Sequence, residues 1–170
     1  MIEIPISTKR MTIRRFELRD AECYLRFMLD EESTRFLAFD ADQKTESGAR
    51  ALLDYVISSY KSDAPVHAYA IAEATTDEYL GSCGFTPYSD DSVECYYCIN
   101  SDHRGQHLAT EALNALIQSL TAHVEVRAYC HPNNVAAHAV ARNCAMSHVG
   151  IAHNKNSDLD GDLFVHPKLG

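Results

Sequence analysis

The sequence predicts a mixed α/β fold, in which a mostly antiparallel central sheet carries one parallel strand pair and helices on both faces. Three strand-like segments with short polar turns follow one another between residues 67 and 99, which is typical of an antiparallel meander. A helical segment then joins the last of them to a strand at 124–130, and such a connection is right-handed and parallel. Two amphipathic segments before residue 60 predict further helices.

The bulk properties limit the function classes. A chain of 170 residues is one domain, 1–170, with a substantial core, and 46% hydrophobic and 23% charged residues are ordinary for a soluble globule. The net charge of −9 argues against non-specific nucleic-acid binding and is compatible with a cationic small molecule or a basic peptide end. No apolar run approaches the ~18 residues of a membrane span. Six cysteines without a signal-peptide layout predict reduced thiols in the cytoplasm.

The first third of the chain predicts one strand and two helices. Residues 6–16 form the strand, and Asp20 caps a helix with a closely spaced apolar set. An acidic, irregular stretch follows at 30–42. Thr45 or Ser47 caps the second helix, whose apolar stripe has helical spacing. The two apolar sets are Tyr24, Leu25, Phe27, Met28 and Leu29, and then Ala49, Leu52, Leu53, Val56, Ile57 and Tyr60.

The rest of the chain alternates strands and helices. Strands are predicted at 67–74, at 79–88 (ended by Pro87) and at 93–99, with a helix at 108–120 and a strand at 124–130. A helix follows Asn134, and a hairpin of 146–153 and 163–166 closes the chain. Its acidic stretch lacks the glycine and glutamate positions of a calcium loop, so Asp160-Gly161 is interpreted as hairpin turn chemistry.

The junction between the Val93 strand and the next helix has the layout of an anion site. A helix start carries up to four N–H groups without intrahelical partners and the positive end of the macrodipole. Gly105 lets a ligand approach the backbone, and Arg104 supplies a bidentate donor. Most such junctions bind nothing. Cys95 and Cys98 have C-x-x-C spacing, but residues three apart on a strand face opposite ways, which disfavours a metal site.

The segment from Arg104 to Leu113 resembles the acetyl-CoA loop of the GNAT superfamily of N-acetyltransferases, whose pattern is Gln/Arg-x-x-Gly-x-Gly/Ala followed by Thr-Glu-Ala-Leu. Arg104 and Ala109 match its ends, whereas His107 stands at the middle glycine. If that position needs a positive φ, histidine is strained there; it could instead donate to a phosphate. Thr8, Arg10 and Arg14 also resemble the opening of the Rim-type branch, which acetylates ribosomal-protein N-termini.

A second segment, around Asn134, resembles the family's other cofactor motif, although capping alone also explains that asparagine. Ala137 stands where serine is common, and Ala145-Met146 where Gly-Phe is usual. Several GNAT enzymes have a tyrosine general acid near the position of Ala141, so that role is unfilled there.

The resemblance implies that acetyl-CoA is the cosubstrate, without a metal, and that it lies where the Val93 and Val124 strands splay apart. The implied cofactor residues are Cys98, Ile99, Arg104, Gly105, Gln106, His107, Leu108, Ala109, Thr110, Asn134 and Ala137.

The candidate catalytic residues are Glu94 and Tyr97. In the family an amine attacks the thioester directly, and Glu94 is the candidate base, with a paired carboxylate on the strand face as the equal alternative. Tyr97 is a candidate acid or thioester contact, although a packed aromatic ring is the more frequent role of such a residue.

Two functions fit this reading. The first is an N-acetyltransferase acting on a protein N-terminal α-amine or a small cationic amine. The second is a degenerate GNAT domain that binds acetyl-CoA as a sensor or interaction module, a view supported by His107, Ala137, Ala141 and Ala145. Neither nucleic acid nor membrane is an expected partner, and the chain is a monomer or a homodimer.

Overall fold

An eight-stranded sheet organises the chain in the computed structural model, which describes residues 2–168. The strands are β1 (Ile6–Ser7), β2 (Met11–Arg14), β3 (Ala68–Glu73), β4 (Tyr79–Ser89), β5 (Ser92–Ile99), β6 (Glu125–Cys130), β7 (Ser147–Asn154) and β8 (Leu159–His166), and the helices are α1 (Ala21–Leu29), α2 (Glu31–Thr34), α3 (Glu46–Ser59), α4 (Leu108–Leu120) and α5 (Val135–Asn143).

The strand order is β1-β2-β3-β4-β5-β6-β8-β7. Neighbouring strands pair antiparallel, except for β5 and β6, which are parallel. The fold class predicted from the sequence is therefore confirmed, including the position of the parallel pair.

Helices cover both faces of the sheet, as predicted. On one face, α1 and α3 bury an apolar cluster that includes Phe27, Leu53 and Tyr79. On the other face, α4 buries Leu113 and Leu116 against the sheet, and α5 joins this cluster through Ala141. Because successive strand residues face opposite ways, each β5 side chain belongs to one of these two sides.

The predicted first strand is interrupted. Residues 6–16 form β1, a turn and β2, which pair antiparallel with Ile6 opposite Ile13. Thr8 closes the turn, because its N–H donates to the Met11 carbonyl at 2.8 Å and its Oγ1 accepts from the Met11 N–H at 3.1 Å. The run of strand-forming residues continues through this turn, so periodicity alone did not reveal it.

One predicted strand end and one predicted turn were wrong in position. Pro87 does not end β4; it lies inside that strand, opposite Val93, and a register shift between Pro87 and Ser89 accommodates it. Asp160 and Gly161 lie inside β8, and the hairpin turn is formed by residues 155–158. Gly161 is suited to the strand because a Cβ there would lie 3.1 Å from the Cys130 carbonyl oxygen.

The predicted helix caps were right in one case and partly right in the other. Thr45 is the N-cap of α3, and its side chain accepts from Gly48 N–H at 3.1 Å. Asp20 occupies the N-cap position of α1, but its carboxylate binds the Arg14 guanidinium at 2.8 and 2.9 Å and the Glu17 N–H at 2.8 Å instead. In the predicted irregular stretch, the structure has the single-turn helix α2, whose N-cap is Asp30.

Among residues 2–168, the helices are all too short or too polar to cross a membrane.

Candidate active site

The two parallel strands separate halfway along their length. Ladder pairs join Ser92, Val93 and Glu94 of β5 to Glu125, Val126 and Arg127 of β6, and within the described residues no such pair extends to Cys95–Ile99. The backbone groups of β5 that face β6 beyond Glu94 are therefore available to a ligand. This separation is the feature that the family resemblance implied for these strands.

The loop before α4 has the conformation of an anion-binding turn. Gly105 has a φ of +76° and no heavy atom within 4 Å of where a Cβ would stand, so a ligand can approach its backbone closely. His107 is the N-cap of α4 and has φ +59° and ψ +20°. The N–H groups of the first helical turn lack intrahelical acceptors, and they point out of this end of the helix.

A cavity of about 510 Å³ connects the strand gap with this loop. Most of the cofactor residues implied by the sequence line it, together with one candidate catalytic residue: Tyr97, Cys98, Ile99, Arg104, Gly105, His107, Leu108, Ala109, Thr110, Asn134 and Ala137. Glu94 and Gln106 are not part of the lining.

The segment from α1 to the residues after α2 forms one side of the cavity, where Phe27, Ser33, Phe36 and Leu37 contribute to the lining. The sequence predicted only an acidic, irregular stretch at 30–42 in this region. Ser33 and His103 were missed as lining residues, since a lone serine and a lone histidine carry no motif.

Two contacts hold this segment against the rest of the cleft. Arg104 Nη2 donates to Ser33 Oγ at 2.8 Å, and Ser33 Oγ donates in turn to Asp30. The bond from Ser33 is the main cause of a lowered Asp30 pKa. On the other side, the Phe36 ring lies 4.8 Å, centroid to centroid, from the His131 ring at the end of β6. The α2 segment thus touches both sides of the cleft.

Tyr97 reaches across the gap from β5 to α5. Its Oη donates to the Ala137 carbonyl at 2.9 Å and lies 3.8 Å from Cys130 Sγ. Burial, followed by the neighbouring thiols of Cys130 and Cys95, raises the pKa of Tyr97 far above its ordinary value. The phenol is therefore protonated at neutral pH and acts as a hydrogen-bond donor, since a raised pKa makes it a weak acid.

Glu94 faces the opposite side of β5. Val93 and Cys95 belong to the cluster beneath α4, so Glu94 and Cys98 face the side that carries α1 and α3. The Glu94 carboxylate accepts from Asn154 Nδ2 at 2.6 Å and Asn156 Nδ2 at 2.8 Å. It thereby ties the β7–β8 hairpin to β5, and two bonds leave other lone pairs of the carboxylate free.

The second cofactor segment is a capped helix start. Asn134 is the N-cap of α5, and its Oδ1 accepts from the Ala137 N–H at 3.1 Å. Both residues also line the cavity, so capping and ligand contact are compatible. Ala141 is fully buried and lies outside the cavity lining, so among the described lining residues Tyr97 presents the only phenol.

The thiols of the site are protonated. Cys95 is buried beneath α4, whereas Cys98 lies on the other face and lines the cavity, so the two sulfurs do not converge. Burial raises the Cys98 pKa, although bonds with Ser82 and the charge of Arg104 act in the opposite direction. All six cysteines are free thiols.

The cleft therefore combines a positive end, formed by Arg104, the loop amides and the α4 N-terminus, with a narrow gap between two strands. The positive end suits phosphate groups, and the gap suits an extended chain that bonds to free strand backbone. A buried, protonated phenol at the far end can donate a hydrogen bond.

Comparisons with known proteins agree with this architecture. The family described as "Acetyltransferase (GNAT) domain" matches residues 10–147. The chain is 29% identical over 112 residues to uncharacterized N-acetyltransferase p20 of Bacillus licheniformis. That match covers 65% of this chain and 62% of p20, so it spans less than two thirds of that relative's length.

Solved structures share the fold. A GNAT-family acetyltransferase from Bacillus anthracis superposes with a TM-score of 0.81 at 18% identity, covering 97% of this chain and 99% of that one. The ribosomal L7/L12 α-N-protein acetyltransferase RimL, in complex with coenzyme A, superposes with a TM-score of 0.72 at 17% identity, covering 96% and 97%.

Proposed function

The chain belongs to the GNAT acetyltransferase family, and we propose that it transfers an acetyl group from acetyl-CoA to a primary amine by direct attack, acting as a single domain. The amine is a protein N-terminal α-amine or a small cationic amine. The observation that carries the proposal is the separation of β5 from β6 directly beside the loop and helix start at Arg104–Leu108.

The residues present fit acetyl-CoA. Arg104, the amides of Gly105 and His107, and the first turn of α4 would hold the pyrophosphate, because they concentrate donors and positive potential. Cys98 and Ile99 would bind the pantetheine arm through their free backbone groups, and Asn134 and Ala137 would contact it from α5. RimL, which shares the fold, was solved with coenzyme A, which supports the proposal.

Glu94 and Tyr97 would act on the reactants from opposite faces of β5. The amine approaches from the side of α1 and α3, where Glu94 accepts its proton directly or through water. A backbone N–H of β5 near Tyr97 would polarise the thioester carbonyl, and Tyr97 Oη would donate a hydrogen bond to the departing thiolate. Positioning both reactants supplies the largest share of the rate enhancement.

The acceptor preference follows from charge. The protein has a net charge of −9, and Glu32 and Ser33 line the cavity on the α2 side, with Asp30 adjacent. A cationic amine or a basic peptide end is attracted to this side. RimL is a ribosomal L7/L12 α-N-protein acetyltransferase, which supports the peptide alternative.

A calorimetric titration with acetyl-CoA, CoA and dephospho-CoA tests the cofactor. Micromolar binding of acetyl-CoA is expected, and a thiol-release assay with a panel of amines then tests turnover. Absence of binding would refute the proposal. Binding without release by any amine would favour a domain that senses acetyl-CoA, which the burial of Ala141 away from the cavity also favours.

A pair of variants tests Glu94. Glu94→Gln removes the base, and turnover should fall by about 10²- to 10⁴-fold. Asn156→Ala removes one donor to the same carboxylate but keeps the base, so most turnover should remain. Equal losses in both variants would show that Glu94 acts only by holding the hairpin.

A further inference from the structure

Glu111, in the first turn of α4, makes contacts about a hundred residues away in the chain. Its Oε1 accepts from Thr8 Oγ1 at 2.7 Å and from the Arg10 N–H at 3.0 Å, and its Oε2 accepts from Arg10 Nε at 2.7 Å. Burial opposes the charge on Glu111, but these hydrogen bonds outweigh it and lower its pKa. The carboxylate is therefore ionised and accepts three hydrogen bonds from the β1–β2 turn.

Arg10 continues the network into the loop before α4. Its Nη1 donates to the Gln106 carbonyl oxygen at 2.9 Å, while Nε remains on Glu111. One guanidinium thus joins the β1–β2 turn, the loop and the helix. Its rigid fork suits two acceptors at once, which a lysine ammonium on a flexible stem does not.

The bond to Gln106 determines where the next amide points. In a planar trans peptide, the carbonyl of one residue and the N–H of the next point in opposite directions. Arg10 holds the Gln106 carbonyl on its own side, so the His107 N–H is directed away from Arg10. His107 lines the cavity, whereas Arg10 and Glu111 do not.

The same bond opposes relaxation of a strained residue. His107 has φ +59°, a region that costs a non-glycine residue energy, and the loop is exposed. The turn that carries Arg10 is itself fixed, because Thr8 bonds to both Met11 and Glu111. The β1–β2 turn and α4 therefore support the loop from two sides.

We propose that Arg10 and Glu111 are positioning residues that hold the Arg104–His107 loop in its anion-binding conformation. The inference rests on the acetyl-CoA site proposed above and adds residues outside the cavity to it. It also assigns one structural role to two separate parts of the sequence, the Thr8–Arg14 segment and Glu111 after the loop.

The alternative is that Arg10 attracts the phosphates directly as a cation. The two explanations differ in the sign of the effect of Glu111→Gln. Removing a negative charge near the site should strengthen CoA binding if only charge matters. If Glu111 positions the loop, CoA should bind about tenfold more weakly, the loss typical of one charge-assisted hydrogen bond.

Arg10→Lys separates the explanations a second time. It keeps the charge but cannot bridge Glu111 and the Gln106 carbonyl, so it should bind CoA nearly as weakly as Arg10→Ala. Retention of wild-type affinity by Arg10→Lys would contradict positioning. The double variant Arg10→Ala/Glu111→Gln should be no weaker than the worse single variant, because both act through one network.

The affinities are measured by calorimetry with CoA, well below the unfolding temperature of each variant. Hydrogen exchange of the peptide covering 104–108, without ligand, gives a second readout, and it should be faster in Arg10→Ala and Glu111→Gln. Arg50→Ala and Glu46→Gln, which remove an exposed ion pair of α3, are the matched controls and should change neither quantity.

The outcomes separate this inference from the proposed function. If the wild type does not bind CoA, the proposed function fails, and loop exchange still tests the network. If the wild type binds CoA and the variants match it in affinity and exchange, the positioning inference fails alone.

Discussion

Replacing Ala145 by glycine should stabilise the protein. Ala145 follows α5 and has φ +56°. The Ala145 N–H bonds to the Arg142 carbonyl at 3.0 Å and the Met146 N–H to the Ala141 carbonyl at 3.1 Å, which is the Schellman arrangement. The buried side chains of Ala141 and Met146 lie at the two ends of that turn. The backbone is therefore fixed in a conformation that glycine adopts freely and alanine does not.

The magnitude comes from two opposing terms. An alanine in the left-handed region costs about 1–2 kcal/mol. The substitution by glycine lowers the free energy of unfolding by about 0.4–1 kcal/mol, because the unfolded chain becomes more flexible. A net gain of about 0.5–1 kcal/mol remains, which for a domain of this size raises Tm by about 1–4 °C. Ala145 is exposed, so the lost methyl group contributes little packing.

Urea unfolding followed by circular dichroism measures the difference. Ala139→Gly is the matched control: it makes the same chemical change on the exposed surface of α5, and it should lower the free energy of unfolding by about 1 kcal/mol. Opposite signs for the two variants would confirm the reasoning. A loss of stability in both would refute it, since that result would mean that the backbone at Ala145 carries no strain.

Three further predictions concern the cleft. His107→Gly should be more stable than His107→Ala by about 1 kcal/mol in urea titrations. Both variants lose the imidazole, but only glycine removes the strain of a φ of +59°. Equal stabilities would argue against strain at this residue. The pKa of Glu111 is lowered, so its network stabilises the fold at neutral pH, and this contribution is lost as the pH falls below the ordinary glutamate range. The free energy of unfolding should therefore differ between wild type and Glu111→Gln at about pH 7, and the difference should shrink at about pH 4; a constant difference would contradict the linkage. Ser33→Ala removes the bond to Arg104, so hydrogen exchange at residues 31–37 should become faster, while exchange in α3 remains unchanged; protection equal to wild type would show that Phe36 and His131 hold the segment without it.

The fold was predictable from the sequence where periodicity and connection rules act together. The β3–β4–β5 meander and the β5–α4–β6 crossover have clear spacing, and a right-handed crossover leaves one arrangement for the parallel pair. The β1–β2 turn was missed and the β7–β8 turn was misplaced, because each depends on particular bonds or φ values. Asp158, for example, supplies the positive φ at the hairpin turn.

The cavity lining around the Arg104–His107 loop was more predictable than the surroundings of Glu94. The loop residues are consecutive in sequence, so one motif locates them all. The surroundings of Glu94 come from Asn154 and Asn156, some sixty residues away, and nothing in the local pattern links them to β5. The Arg10–Glu111 network was hidden for the same reason, although both residues stood within segments that resembled the family.

The departures from the family pattern alter the backbone less than they alter the side chains. His107 and Ala145 stand where the resemblance places glycine, and the structure gives them φ values of +59° and +56°, so the conformation that glycine would favour is retained at both positions. A chain that keeps the geometry while accepting the strain still places the loop amides and the α5 helix start beside the gap. The argument for a degenerate domain is therefore weaker at these two residues than at Ala141, where the family resemblance leads one to expect a tyrosine side chain. Tyr97 spans the space between β5 and α5 and bonds to Ala137, which lies four residues before Ala141 on that helix. The test of degeneracy is therefore whether the Tyr97 phenol can supply the proton.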